Sequence, residues 1–211
     1  FAWPTGPCED AASNSEYPVL YPMTRKIPLL IDTDPGVDDA LALLMAFNDS
    51  HHEIVGLTIV AGNVGLEYTV RNALKVCEIA GRADVPVYAG CAQPLLHPSV
   101  DAAHVHGIDG LGDVGLAPAT RTAEAEHAAL AILRLSHEYA GKLLVVALGP
   151  LTNLALALTL DPSLPQRVAR LVVMGGALTG HGNITAAAEF NIGFDPEAAR
   201  NELSSQENET R

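Results

Sequence analysis

Basic residues are scarce in this chain. It has 12 Lys and Arg against 25 Asp and Glu in 211 residues, for a formal net charge of −13. Nucleic acids and anionic membrane surfaces bind to basic faces, so neither is an expected partner. Cysteine is scarce too. Cys8, Cys77 and Cys91 form no CxxC pair, which argues against a structural zinc site. An odd, scattered set of thiols does not describe a disulfide framework, and a reducing, cytoplasmic compartment is the expectation. No apolar run is long and pure enough to span a bilayer. The N-terminus lacks the basic start and apolar centre of a secretion signal.

Apolar residues are plentiful at 48%, enough for one sizeable core in a single domain. Phe1 to Tyr21 is rich in Pro, Ser, Asn and Glu and has no periodicity. Residues 1–22 therefore read as a disordered or non-native leader. Met23 is the expected start, residues 23–200 the domain, and residues 201–211 a polar, divergent tail.

From Lys26 onward strands and helices alternate. Strands are expected at Ile27 to Ile31, Glu53 to Val60, Val85 to Tyr88, Leu143 to Leu148 and Leu171 to Met174. Helices are expected at Asp38 to Asn48, Tyr68 to Ala80, Thr122 to Ala140, Thr152 to Leu160, Pro165 to Ala169 and Asp195 to Leu203. Gly90 to Pro118 is a long irregular connection, and such loops in compact domains are often functional. The alternation predicts an α/β fold, an open and mostly parallel sheet with helices on both faces. Ligands bind such sheets at the carboxyl ends of the strands. Asp34, Asn63, Leu148 and Met174 each fall at or just past one strand end, so four distant segments are expected to meet in one crevice.

The densest chemistry is Asp32-Thr33-Asp34-Pro35-Gly36-Val37-Asp38-Asp39. An apolar strand delivers it, Pro-Gly turns it, and a helix begins within it. Crowded carboxylates repel one another, and a divalent cation relieves that repulsion. Calcium suits oxygen ligands in flexible geometry, magnesium demands a tighter octahedron, and zinc is disfavoured without a neighbouring His or Cys. Helix capping alone would explain Asp38 and Asp39 but not the whole arrangement. Asp32-Thr33-Asp34 also satisfies the DxD of haloacid-dehalogenase-like phosphatases. Gly36 and the Val37-Asp38-Asp39 continuation depart from that pattern.

The segment DTDPGVDDALAL resembles the N-terminal motif of the inosine–uridine preferring nucleoside hydrolases. Further motifs follow in order: Ala61-Gly62-Asn63, His104-Val105-His106-Gly107, Leu148-Gly149-Pro150-Leu151-Thr152-Asn153, Val173-Met174-Gly175-Gly176, Ala188-Glu189-Phe190-Asn191 and Asp195-Pro196-Glu197-Ala198-Ala199. The resemblance covers about Lys26 to Arg200. It implies cleavage of the N-glycosidic bond of ribonucleosides to ribose and free base.

By the same resemblance, Asp34 and Asp39 bind Ca2+ through their carboxylates and Leu148 through its carbonyl oxygen. A calcium-activated water is the implied nucleophile, with Asp34 as its general base. Asp38 and Asn191 are expected to hold the ribose 2′-hydroxyl, and Asn183 and Glu189 the 3′ and 5′ side. Asn63 supports the acidic cluster and binds ribose, Met174 lines the pocket, and His106 lies near the base. His104 is less firmly placed. His51, His52, His97, His127, His137 and His181 read as surface, helix or loop residues. The family commonly forms dimers or tetramers, so the implied partners are a small ribonucleoside and a homo-oligomeric copy.

After Ala199 the resemblance stops, whereas family members continue considerably further. The absent part carries a His that helps protonate the leaving base and a calcium-binding Asp. The expectation is a C-terminally truncated member: a fragment, a gene model read past an exon boundary, or a shortened paralogue. A non-catalytic remnant holding a partial calcium and ribose site is the alternative to a hydrolase.

Overall fold

The computed structural model describes residues 26–207. The expected leader, the start at Met23 and the last tail residues lie outside them. The chain builds β1 (Ile27–Thr33), α1 (Val37–Phe47), β2 (His52–Ile59), α2 (Leu66–Ile79), β3 (Val87–Ala89), α3 (Ala103–His106), α4 (Ala128–Glu138), β4 (Leu143–Ala147), α5 (Thr152–Leu160), β5 (Val168–Val173), α6 (Phe190–Phe194) and α7 (Pro196–Glu207). Every pairing is parallel and the strand order is β3-β2-β1-β4-β5. This is the open parallel α/β sheet expected from the alternation. Its order reverses between β1 and β4, the topological switch point where such sheets open a crevice.

Alternation along β1 assigns the two faces. Leu29 and Ile31 pack with Leu43, Leu57 and Cys77 under α1 and α2. Leu30 packs with Ile132, Leu135 and Leu154 under α4 and α5, where Ala198 and Ala199 of α7 join them. Successive residues of a strand point to opposite faces, so a strand buried on both sides must be apolar throughout. Cover is thinner over part of the first face. Leu144 and Val146 of β4 are only partly buried and Val172 of β5 is 39% exposed. Leu41 and Met45 on α1 are also exposed. No helix among the described residues is long and apolar enough to cross a membrane.

Some boundaries differ from expectation. The helix expected from Thr122 begins at Ala128, because Glu124 forms a parallel bridge with Tyr88 at the edge of the sheet. His127 caps that helix, its ring accepting from the Ala129 N–H at 3.2 Å. The helix expected at Pro165 to Ala169 is a 3-10 turn at Leu164–Arg167, and β5 already starts at Val168. Arg170 interrupts the apolar pattern there and hides the strand's first half. The helix expected to end at Leu203 runs to Glu207, into the segment read as aperiodic. No Gly or Pro stops it, and Asp195 caps its start by accepting from the Ala198 N–H at 3.0 Å.

Candidate active site

The strands deliver four connections to one end of the sheet. Asp34 follows β1, Asn63 follows β2, Leu148 follows β4 and Met174 follows β5. They surround a cavity of about 450 Å³. Its wall includes Asp38, Asp39, Asn63, His106, Leu148, Met174, Asn183, Glu189 and Asn191, together with His104. Every expected site residue except Asp34 thus lines one cavity. Asp34 lies beneath that lining, only 1% exposed.

Asp34 is held from several sides. Its Oδ2 accepts from the backbone N–H of Asn63 at 2.7 Å. Its Oδ1 is buried and has no hydrogen-bond partner among the described residues. A Cβ on Gly62 would lie 2.0 Å from Asp34 Oδ2, and one on Gly149 would lie 2.4 Å from Oδ1. Only glycine leaves room for the carboxylate at these two strand ends. Neither glycine carries a functional side chain, so only its place in the Ala61-Gly62-Asn63 and Leu148-Gly149-Pro150 motifs signals this role.

Asp39 sits on the first turn of α1 and stays buried. Its Oδ1 accepts from Thr33 Oγ1 at 2.6 Å, and its Oδ2 accepts from the Gly36 N–H at 3.2 Å and from Asn63 Nδ2 at 3.1 Å. The Asn63 amide also donates to the Asp34 carbonyl oxygen at 3.1 Å. Asn63 therefore bridges both acidic residues. Burial, above all, pushes the Asp34 carboxyl well above the ordinary range, and the Asp39 charge adds to the effect. Asp39 is raised by burial as well, opposed by the Thr33 and Gly36 bonds.

Asp32 separates from the other acids. It shares a face of β1 with Leu30, and its Oδ1 accepts from Thr58 Oγ1 at 2.6 Å and Asn153 Nδ2 at 2.9 Å. It is fully buried, and burial pushes its carboxyl up to about 7. Asp32 and Asp34 are not presented together to a ligand, which removes the support for the phosphatase reading.

The opposite wall is built on α6. The Glu189 carboxylate accepts from the N–H groups of Asn191 at 2.9 Å, Gly176 at 3.0 Å and Ile192 at 3.2 Å, capping α6 and pinning the turn after β5. Asn191 Nδ2 donates to the Leu148 carbonyl at 2.7 Å and contacts the Met174 carbonyl and sulfur, each at 3.2 Å. Asn183 is exposed at the rim, its N–H bonded to the Ala188 carbonyl at 3.0 Å. Asp195 forms a buried hub beside this wall, accepting from Thr152 Oγ1 at 2.7 Å and the Leu95 N–H at 2.9 Å. In sequence Asp195 shows only the signal of a helix cap before Pro196.

His106 closes the α1 side. Its Nδ1 accepts from the Val37 N–H at 3.3 Å and lies 3.8 Å from Asp38 Oδ1. Apart from His104, the other histidines stay outside the cavity wall. His51 and His52 meet Asp49, His97 pairs with Glu197 at 2.8 Å, His137 lies 3.8 Å from Asp161, and His181 meets the Thr179 carbonyl.

Among the described residues no three His, Cys, Asp or Glu side chains group as a metal site. Two carboxylates with a main-chain carbonyl are a set of another kind. The unpartnered Asp34 Oδ1 and the mutual repulsion of Asp34 and Asp39 fit a hard, oxygen-seeking cation.

A family model described as inosine-uridine preferring nucleoside hydrolase matches residues 29–210, beyond Arg200 where the motif-by-motif resemblance ends. Uridine nucleosidase 1 of Arabidopsis thaliana is 51% identical over 173 residues, covering 81% of this chain and 51% of that protein. The pyrimidine-specific ribonucleoside hydrolase RihB of Escherichia coli is 42% identical over 176 residues, covering 83% and 56%. Among solved structures, the plant nucleoside hydrolase PpNRh1 superposes with a TM-score of 0.83 at 38% identity, over 86% of this chain and 57% of that one. A purine-preferring ribonucleoside hydrolase from Gardnerella vaginalis gives 0.81 at 39% identity, over 84% and 58%. The chain spans about half the length of the curated relatives it matches.

Proposed function

The chain belongs to the inosine–uridine preferring nucleoside hydrolase family, and on that premise we propose that its site hydrolyses the N-glycosidic bond of ribonucleosides. The observation that carries this reading is the pair Asp34 and Asp39, bridged by Asn63, with Asp39 in the wall of a cavity lined by Asp, Asn and Glu and Asp34 beneath that wall. Asp34, Asp39 and the Leu148 carbonyl oxygen are the residues that would hold calcium. When bound, the cation supplies positive charge that orients a water and lowers its pKa.

The chain's own residues have separable tasks. Asp34 takes a proton from the attacking water. The water oxygen bonds to the anomeric carbon as the bond to the base nitrogen breaks, and that bond's electrons leave with the base. Carboxylates on the cavity floor stabilise the positive charge that develops on the sugar. Asp38, exposed beside His106, accepts from the 2′-hydroxyl. Asn191 uses its Nδ2 inside the protein, so its Oδ1 is the atom that meets the same hydroxyl. Asn183 and Glu189 face the 3′ and 5′ side, Met174 packs along the sugar, and His106 approaches the base. Fixing these groups before the reaction removes orientational cost from the barrier.

Purified chain incubated with uridine or inosine and calcium should release ribose well above an Asp34→Ala control. The second reading is a site that binds calcium and ribose without turnover. No release of ribose, with calcium still bound, would select it.

A further inference from the structure

Asn72 lies on the buried face of α2, outside the cavity wall, and no role above uses it. We propose that Asn72 is a positioning residue whose side-chain amide locks the acidic turn and the His106 loop in register. Its effect on turnover presupposes the hydrolase function proposed above, while its effect on loop geometry does not.

The amide serves two carbonyls. Asn72 Nδ2 donates to Pro35 O at 3.0 Å and to Asp109 O at 2.8 Å. Pro35 stands between Asp34 and Gly36, and Asp109 stands three residues past His106. Both targets are main-chain groups of the segments that carry site residues.

These bonds belong to a closed ring of contacts. From Pro35 the chain passes to Gly36, where a Cβ would lie 2.7 Å from the His106 ring. The next N–H, that of Val37, donates to His106 Nδ1 at 3.3 Å. The His106 carbonyl accepts from the Gly112 N–H at 2.7 Å, and the Gly110 N–H donates to Gly107 O at 3.1 Å. That folded loop presents Asp109 O back to Asn72. The loop comes so close that a Cβ on Gly110, which has φ +80°, would lie 2.8 Å from Asn72 Nδ2 and 2.8 Å from Val64. One turn earlier on α2, Thr69 Oγ1 donates to Val60 O at 3.0 Å, fixing the helix against the end of β2 from which Asn63 emerges. A buried carbonyl that loses its donor is unfavourable, so each segment would move to find another partner.

Asn72→Asp keeps the side-chain shape and removes both donors. In isotopically labelled full chain, the Val37 and Gly112 amides should exchange with solvent about tenfold faster in N72D, while amides in β1 and β4 hold their rates. Unchanged rates at Val37 and Gly112 overturn the proposal. A uniform acceleration across the sheet also overturns it, since Asn72 then supports only global stability. Should N72D fail to fold, Gly110→Ala displaces the loop from the other side and must give the same local pattern. With uridine and calcium, N72D should lose roughly tenfold in kcat with KM held within about threefold. An unchanged kcat alongside accelerated Val37 exchange sinks the positioning role. A wild-type chain that hydrolyses nothing contradicts the hydrolase reading instead, and the exchange pattern still decides Asn72.

Discussion

Asn63 holds Asp34 from two directions, its backbone N–H donating to Oδ2 at 2.7 Å and its side-chain amide donating to the carbonyl oxygen at 3.1 Å. The same amide reaches Asp39 Oδ2. One residue after β2 therefore sets the geometry between a residue after β1 and a residue on α1.

Asn63→Ala removes the amide and leaves the backbone bond to Asp34 intact. It should cost about 1–3 kcal/mol in urea unfolding, the range for a buried group losing its partner. Calcium affinity measured by titration calorimetry should fall about 10–100-fold, as for other supports of ligating groups. An unchanged calcium affinity would make Asn63 a purely structural bridge.

Gly62→Ala and Gly149→Ala each drive a methyl into the Asp34 carboxylate. Overpacking of this kind typically costs about 1–3 kcal/mol. Both variants should fold with lower Tm and release no ribose from uridine. Equal turnover in either variant and wild type would show that Asp34 has slack the structure does not suggest.

Calcium should raise the Tm of the wild-type chain and EDTA should reverse the rise. At a hundredfold excess over Kd the linkage amounts to about 2.7 kcal/mol. Asp39→Asn should abolish most of the shift, because it removes one of the carboxylates proposed to hold the cation and keeps the Thr33 contact within reach. Differential scanning fluorimetry across a calcium series checks both statements, and an undiminished shift in D39N would remove Asp39 from the ligand set.

Asp161 gives the acid limb of stability a specific source. Bonds from Ser163, with Arg167 at 2.7 Å adding to them, hold its carboxyl below the ordinary range. A depressed folded value means the contribution is present above the unfolded value of about 3.9 and is lost as pH falls through the folded one. Wild type should therefore lose stability below that pH more steeply than Asp161→Asn. Urea midpoints measured across the acid range compare the two, and parallel curves would count against Asp161.

Much of the fold was legible because it depends on local pattern. Ile27 to Ile31 and Leu143 to Leu148 read as strands because both faces of a parallel sheet are buried and the runs are apolar throughout. The start of α4 was not legible, since residues 122–127 are polar and only pairing with Tyr88 makes Glu124 extended. β5 was half hidden by Arg170, tolerated because the strand is at the sheet edge. Most of the site residues lie in recognisable motifs, whereas the hydrogen-bonding roles of Thr33, Asn153 and Asn72 were not legible. A Thr on a strand or an Asn inside a helix carries no sign of its partner when that partner lies 6, 121 or 37 residues away.

By itself the sequence determined the family, the parallel α/β sheet and the set of acids from Asp32 to Asp39, because periodicity and motif spacing are local quantities. Only the tertiary structure decided how that acidic run divides. Strand alternation and the packing of α5 send Asp32 into the core with Thr58 and Asn153. Gly62, Gly149 and Asn63, from the ends of β2 and β4, hold Asp34 beneath the cavity lining. The physical reason is that carboxylates in one run are chemically alike, and what distinguishes them is the set of donors and the burial that distant segments provide.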